Sequence, residues 1–100
     1  MSLVLEKKLP VIKWYQNNNN VYFNVLINNL DKKYLEIKNN KFILDHSDYY
    51  IEFELFGEFN HENIEYKETE KQLLVNLEKM SDDSWKYLVK NNYYKNNVKV

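Results

Sequence analysis

Few residues in this chain have both the type and the spacing for chemistry. His46 and His61 are the only imidazoles, and Asp45, Asp48 and Glu62 lie close to them in sequence. Histidine and carboxylate together suit a divalent metal, but this spacing matches no ligand motif, so both histidines read as exposed loop residues. Glu52 and Glu54 fall on one side of a strand, as a general acid–base pair would. Nothing around them supplies a cleft or a raised pKa, and they read as a solvated face. Gly57 is the sole glycine, so there is no glycine-rich loop to cradle a phosphate. Ser84 sits in no nucleophile elbow and reads as a turn or cap. The chain has no cysteine, which removes disulfides, thiolate catalysis and a zinc ribbon. No catalytic, cofactor-binding or metal-binding residue emerges, and the chain is not expected to be an enzyme.

What remains is suited to recognition. Trp14 and Trp85 are the only tryptophans, and each has two readings. Tryptophan is enriched at interface hot spots, yet it also packs in cores with its indole N–H satisfied at an edge. Lys13, Lys41, Lys79, Lys86 and Lys90 would form a weakly basic docking patch if the first, fourth and last strands lay together. The opposing reading is scattered, solubilising lysines. Asp82 and Asp83, just before Ser84 and Trp85, mark an exposed loop.

The elements that must position these residues are strands. Residues 11–16 are β-branched and aromatic, and four asparagines then make a turn. Val21, Phe23, Val25 and Ile27 alternate with Tyr22, Asn24 and Leu26, giving one apolar face. A turn over 28–33 leads into a short strand from Tyr34 to Ile37. Asn39 and Asn40 mark a tight hairpin into residues 41–44. Alternation is clearest over 50–55 and ends near Gly57. Ile64 and Tyr66 suggest a sixth strand, on an edge. Residues 72–79 fit both a helical stripe (Leu73, Leu74, Leu77, Met80) and a strand, and the number of short strands tips the reading to strand. Residues 1–9 read as a loosely held lead-in ending at Pro10, and residues 10–100 as one domain. The structure of the tail from Ser81 is left open.

Composition narrows the function classes. One hundred residues, 44% of them hydrophobic, suit a single two-layer core. The formal charge is −1, and all 14 basic residues are lysine. Without a basic stripe or arginine forks, nucleic acid is not an expected partner. No apolar run approaches the roughly 20 residues needed to cross a bilayer, and no signal-peptide core opens the chain. No membrane partner is expected, and a cytoplasmic monomer, with the nucleus as a second compartment, is. The asparagine run at 17–20 reads as codon bias and a solvated loop rather than an interaction tract.

In order and spacing, three pieces resemble the CS domain. Lys13-Trp14-Tyr15-Gln16, followed by Val21, Phe23 and Val25, is similar to its first two strands. Tyr50 to Leu55 is similar to its middle strand. Leu74-x-x-Leu77-x-Lys79, followed by Ser84-Trp85-x-x-Leu88, resembles its last strand and the tryptophan–leucine signature beyond it. The match runs from about Pro10 to Lys90, nearest to the branch of the twenty-three-kilodalton co-chaperone, or cytosolic prostaglandin E synthase. The resemblance implies an all-β, seven-stranded antiparallel sandwich that docks on the ATP-bound ninety-kilodalton heat-shock protein and stabilises its closed state. Lys13, Trp14, Lys79, Trp85, Lys86 and Lys90 are the partner-binding residues it points to. The alternative is a CS-domain adaptor within a longer protein, of nuclear-movement or dehydratase-associated type. Tyr15 matches the tyrosine held to be catalytic with glutathione in the synthase reading, but no base or anion cradle adjoins it. Tyr87 stands where the branch has a basic residue. The acidic, tryptophan-ending segment that follows the last strand in that branch would begin about where this sequence ends, so either a longer parent protein is expected, which is the favoured reading, or that contact is missing.

Overall fold

The computed structural model describes residues 7–27, 33–92 and 94–99. The turn expected at 28–33 falls almost wholly outside them, as does most of the lead-in. The chain forms two β-sheets with no α-helix among the described residues. Strands β1 (Val11–Gln16), β2 (Asn20–Leu26), β3 (Lys33–Lys38), β4 (Lys41–His46), β5 (Tyr50–Glu54), β6 (Phe59–Glu68) and β7 (Gln72–Lys79) are followed by a short β8 (Val98–Lys99). One sheet has the order β6-β7-β2-β1-β8 and the other β3-β4-β5. The seven longer strands pair antiparallel, as expected. The eighth strand was not expected and pairs parallel to β1.

Period-two alternation decides which residues enter the core. Ile12 and Trp14 of β1, Val21, Phe23 and Val25 of β2, and Leu73, Val75 and Leu77 of β7 are buried from the larger sheet. Phe42, Leu44, Ile51 and Phe53 meet them from the smaller one. Phe23 packs edge-on against Phe42 at 5.2 Å and against Phe53 at 6.2 Å, and Phe42 and Phe53 are 5.2 Å apart. Residues 72–79 are a strand because Leu73, Val75 and Leu77 point inward while Leu74 does not. Met80, part of the competing helical stripe, is exposed.

The turns follow side-chain chemistry. Asn17 Oδ1 accepts from the backbone N–H of Asn19 and of Asn20, closing the β1–β2 connection. Asn39 takes a left-handed φ of 55° in the β3–β4 hairpin, which asparagine tolerates. The end of the lead-in is tied down rather than loose: Lys8 N–H bonds Asp48 O at 2.9 Å, and Tyr50 N–H bonds Lys8 O at 3.0 Å. The tail folds back over the free edge of β5. Leu55 bridges Val89, Tyr94 OH reaches Glu52 O, and three left-handed residues, Asn91, Asn92 and Tyr94, turn the chain into β8.

Gly57 permits a close approach. A Cβ there would lie 2.5 Å from Trp85 Nε1 and 2.6 Å from Cε2. The missing side chain therefore seats the indole. Gly57→Ala is expected to displace Trp85 and destabilise the fold by about 1–3 kcal/mol. Denaturant midpoints and Trp85 fluorescence, followed in a Trp14→Phe background, check this; an unchanged midpoint and spectrum would refute the close fit.

Candidate docking surfaces

One end of the sandwich collects the ends of β1, β5 and β7 with the loop after β7. Gln16, the last residue of β1, holds that loop with both amide atoms. Its Nε2 donates to Trp85 O at 2.7 Å, and its Oε1 accepts from Trp85 N–H at 2.8 Å. Phe56 N–H bonds Leu88 O from the other side at 3.0 Å. Trp85 is only 6% exposed, its ring under Phe56 at 6.4 Å. Phe56, 38% exposed, meets Tyr87 edge-on at 6.2 Å. Lys86 Nζ stands 5.6 Å from the centre of the Tyr87 ring. Met80 is exposed just beyond β7, where its N–H bonds Glu58 O. The result is an aromatic end carrying one exposed lysine, Lys86, with Glu58, Asp82 and Asp83 exposed around it.

The predicted partner-binding residues do not form one surface. Trp14 and Trp85 are both core residues, because their side chains lie on the inward face or under Phe56. Lys79 ends β7 with inward parity and is also buried, its Nζ donating to Asp83 O at 3.2 Å. Lys86 is exposed at the aromatic end, whereas Lys13 is exposed on the outer face of the larger sheet. Lys41 and Lys90 lie beside β5, bound to Glu52 at 3.0 Å and Glu54 at 2.9 Å. The five-lysine patch does not assemble, since β1 and β4 belong to different sheets.

Glu52 and Glu54 are accordingly not a bare wet face. With Tyr50, Tyr94, Asn91 and the two lysines they line an open depression of about 440 Å³. Tyr50 OH donates to Glu52 at 2.6 Å, and this bond together with Lys41 holds the Glu52 carboxyl below its ordinary value. The same bond raises the Tyr50 phenol. The charges here are mutually satisfied.

The histidines also differ from expectation. His46 is the last residue of β4 and buried, with Nδ1 accepting from Asp48 N–H at 3.0 Å, because its parity matches inward Phe42 and Leu44. His61 is exposed, but on β6 rather than a loop, with its ring 4.5 Å from that of Phe59. Among the described residues, no three of His, Asp and Glu are placed to hold a metal ion.

The outer face of the larger sheet carries features that the residue pattern alone did not group. Pairing aligns Tyr15, Tyr22, Asn76 and Glu65 in one row across four strands, and Lys13, Asn24, Leu74 and Lys67 in the next. Lys99 of β8 extends the second row beyond Lys13. Tyr15, 58% exposed, stacks on Tyr22 at 4.7 Å and 17°.

No protein-family model matches the sequence, and no curated protein matches it. Solved structures do. A nuclear movement protein from E. cuniculi GB-M1 superposes with a TM-score of 0.68 at 16% identity, over 78% of this chain and 96% of that one. Heat shock protein 16.0 from Schizosaccharomyces pombe superposes with a TM-score of 0.63 at 11% identity, over 83% of this chain and 97% of that one. The fold is therefore a CS/α-crystallin-like β-sandwich.

Two measurements probe these sites. Gln16→Ala removes both bonds to the Trp85 loop and is expected to cost about 1–3 kcal/mol, with faster amide exchange at Trp85. Equal exchange would show that the loop is held elsewhere. Glu52 should titrate below an ordinary glutamate, and Lys41→Met or Tyr50→Phe should raise its midpoint in carboxyl NMR. Because its folded-state value is lowered, the linked stability is complete above the ordinary carboxyl range and is lost as pH falls through the lower value. An unmoved midpoint would refute the assigned cause.

Proposed function

We propose that this chain is a non-enzymatic binding module of the co-chaperone kind, docking on the ATP-bound ninety-kilodalton heat-shock protein. The observation that carries the reading is the aromatic end: exposed Phe56 and Lys86 with half-buried Tyr87, on a floor made by Trp85 and fixed by Gln16. A rigid aromatic surface with a neighbouring cation resembles the centre of a protein interface. A CS/α-crystallin-like sandwich supports the same class, and one structural neighbour is itself a heat shock protein. The mechanism is population shift. A module that binds the closed chaperone better than the open one stabilises the closed state by its differential affinity and performs no chemistry. The cytoplasm is the compartment this reading requires.

A second reading is an adaptor with other partners, favoured by the likeness to a nuclear movement protein. Titrating isotope-labelled protein with the ninety-kilodalton chaperone and a non-hydrolysable ATP analogue separates the two. Docking predicts shifts at Phe56, Lys86 and Tyr87 that weaken without nucleotide. Lys86→Glu or Tyr87→Ser should each reduce affinity by about 1–2 kcal/mol. Absence of shifts, while a known co-chaperone binds in parallel, would sink the chaperone reading, and nucleotide-independent shifts would favour the adaptor.

A further inference from the structure

Two groups of lysines differ in their electrostatic setting, although Lys38 of β3, exposed beside Lys41, also has no ion pair among the described residues. Around the smaller sheet, Lys7, Lys41 and Lys90 are each bound to a carboxylate, at 2.6, 3.0 and 2.9 Å. On the outer face of the larger sheet, Lys13, Lys67 and Lys99 form no ion pair among the described residues. Lys67 and Lys13 share one row, three inter-strand spacings and hence about 14 Å apart. Between the Tyr15–Tyr22 stack and β6 the sheet surface forms a trough of about 210 Å³, floored by Leu74 and Asn76 and walled by Tyr22 and Lys67. Its exposed lining is mostly apolar. An apolar space of about 150 Å³ accepts a benzene-sized group, so the trough has room for one large side chain and little more.

From this arrangement we infer that the outer face of the larger sheet binds an extended acidic peptide of a partner protein, which inserts one large apolar side chain between Tyr22 and Lys67. Carboxylates flanking that side chain are met by Lys67 on one side and Lys13, with Lys99, on the other. These lysines have no ion pair among the described residues, so an acidic peptide breaks none there to reach them. The tyrosines supply large contact area at low conformational cost. A nucleic acid strand fits less well. The two tyrosine rings already stack on each other rather than standing apart to take a base. This surface is separate from the aromatic end, and its occupancy does not depend on the chaperone reading.

The probe is a fluorescent decapeptide of Asp and Glu with a single central Leu, measured by anisotropy against the 100-residue chain at low and at physiological salt. Saturable binding that weakens with salt is expected. Loss of about tenfold in affinity should accompany Lys67→Glu, and separately replacement of the central Leu by Ser. Lys86→Glu, at the other surface, should leave peptide binding unchanged. Lys67 lies on an exposed edge strand, and an unaltered amide spectrum for the variant confirms that its fold is kept. The inference is overturned if the peptide does not saturate, if Lys86→Glu costs as much as Lys67→Glu, if the central Ser peptide binds equally well, or if oligo(dT) binds more tightly than the peptide.

Discussion

The contact on which the two layers depend is the meeting of Phe23 with Phe42 and Phe53. Phe23 comes from the middle of the five-stranded sheet and the other two from paired positions on β4 and β5. A three-stranded sheet has little independent stability unless its apolar face is covered, so the smaller layer persists because these rings close over it. The cluster also fixes register. Slipping any of the three strands by one residue would turn its phenylalanine to solvent and a polar neighbour, Asn24, Glu52 or Lys41, toward the core.

Fixing the inner face fixes the outer one, and the two outer faces have different electrostatics. On the smaller sheet, Tyr34 and Tyr50 donate to Glu36 and Glu52, and lysines bind Asp45, Glu52 and Glu54. Such exposed pairs contribute little to stability, but they neutralise the three lysines that form them, while Lys38 beside them has no ion pair among the described residues. On the larger sheet the lysine row has no ion pair among the described residues and lies beside tyrosines. Net charge, which is nearly balanced, conceals this contrast because it is produced by strand register and not by composition.

The legible parts of the fold were those with strong alternation and a buried face. Residues 21–27 and 50–55 showed it plainly, and the inward residues are the ones their pattern marks. Residues 72–79 were ambiguous because Leu74 adds an apolar residue to the outer side, where it floors the trough. β6 runs ten residues, well beyond the expected strand around Ile64 and Tyr66, because much of it lies on an edge and needs no apolar alternation. β8 has two residues and exists only because the tail turns back at Asn91, Asn92 and Tyr94. For the candidate sites, residue type was informative and position was not. Lys86 could be named, but the separation of Lys13 from Lys41 depends on which sheet each strand joins. Gln16 carried no local signal and Gly57 only that of a strand end, since each acts on Trp85 far along the chain.

Trp85 shows why an interface anchor and a core residue are hard to separate from sequence. Its ring is almost wholly buried, so it offers a partner little surface of its own. Its placement nevertheless decides where Phe56 and Tyr87 sit, because Gly57 leaves room for the indole and Gln16 clamps its backbone. Side chains already held in place lose less freedom on association, which lowers the ordering cost of binding. The tryptophan therefore acts through its neighbours, and its contribution to recognition is the rigidity of the surface it supports.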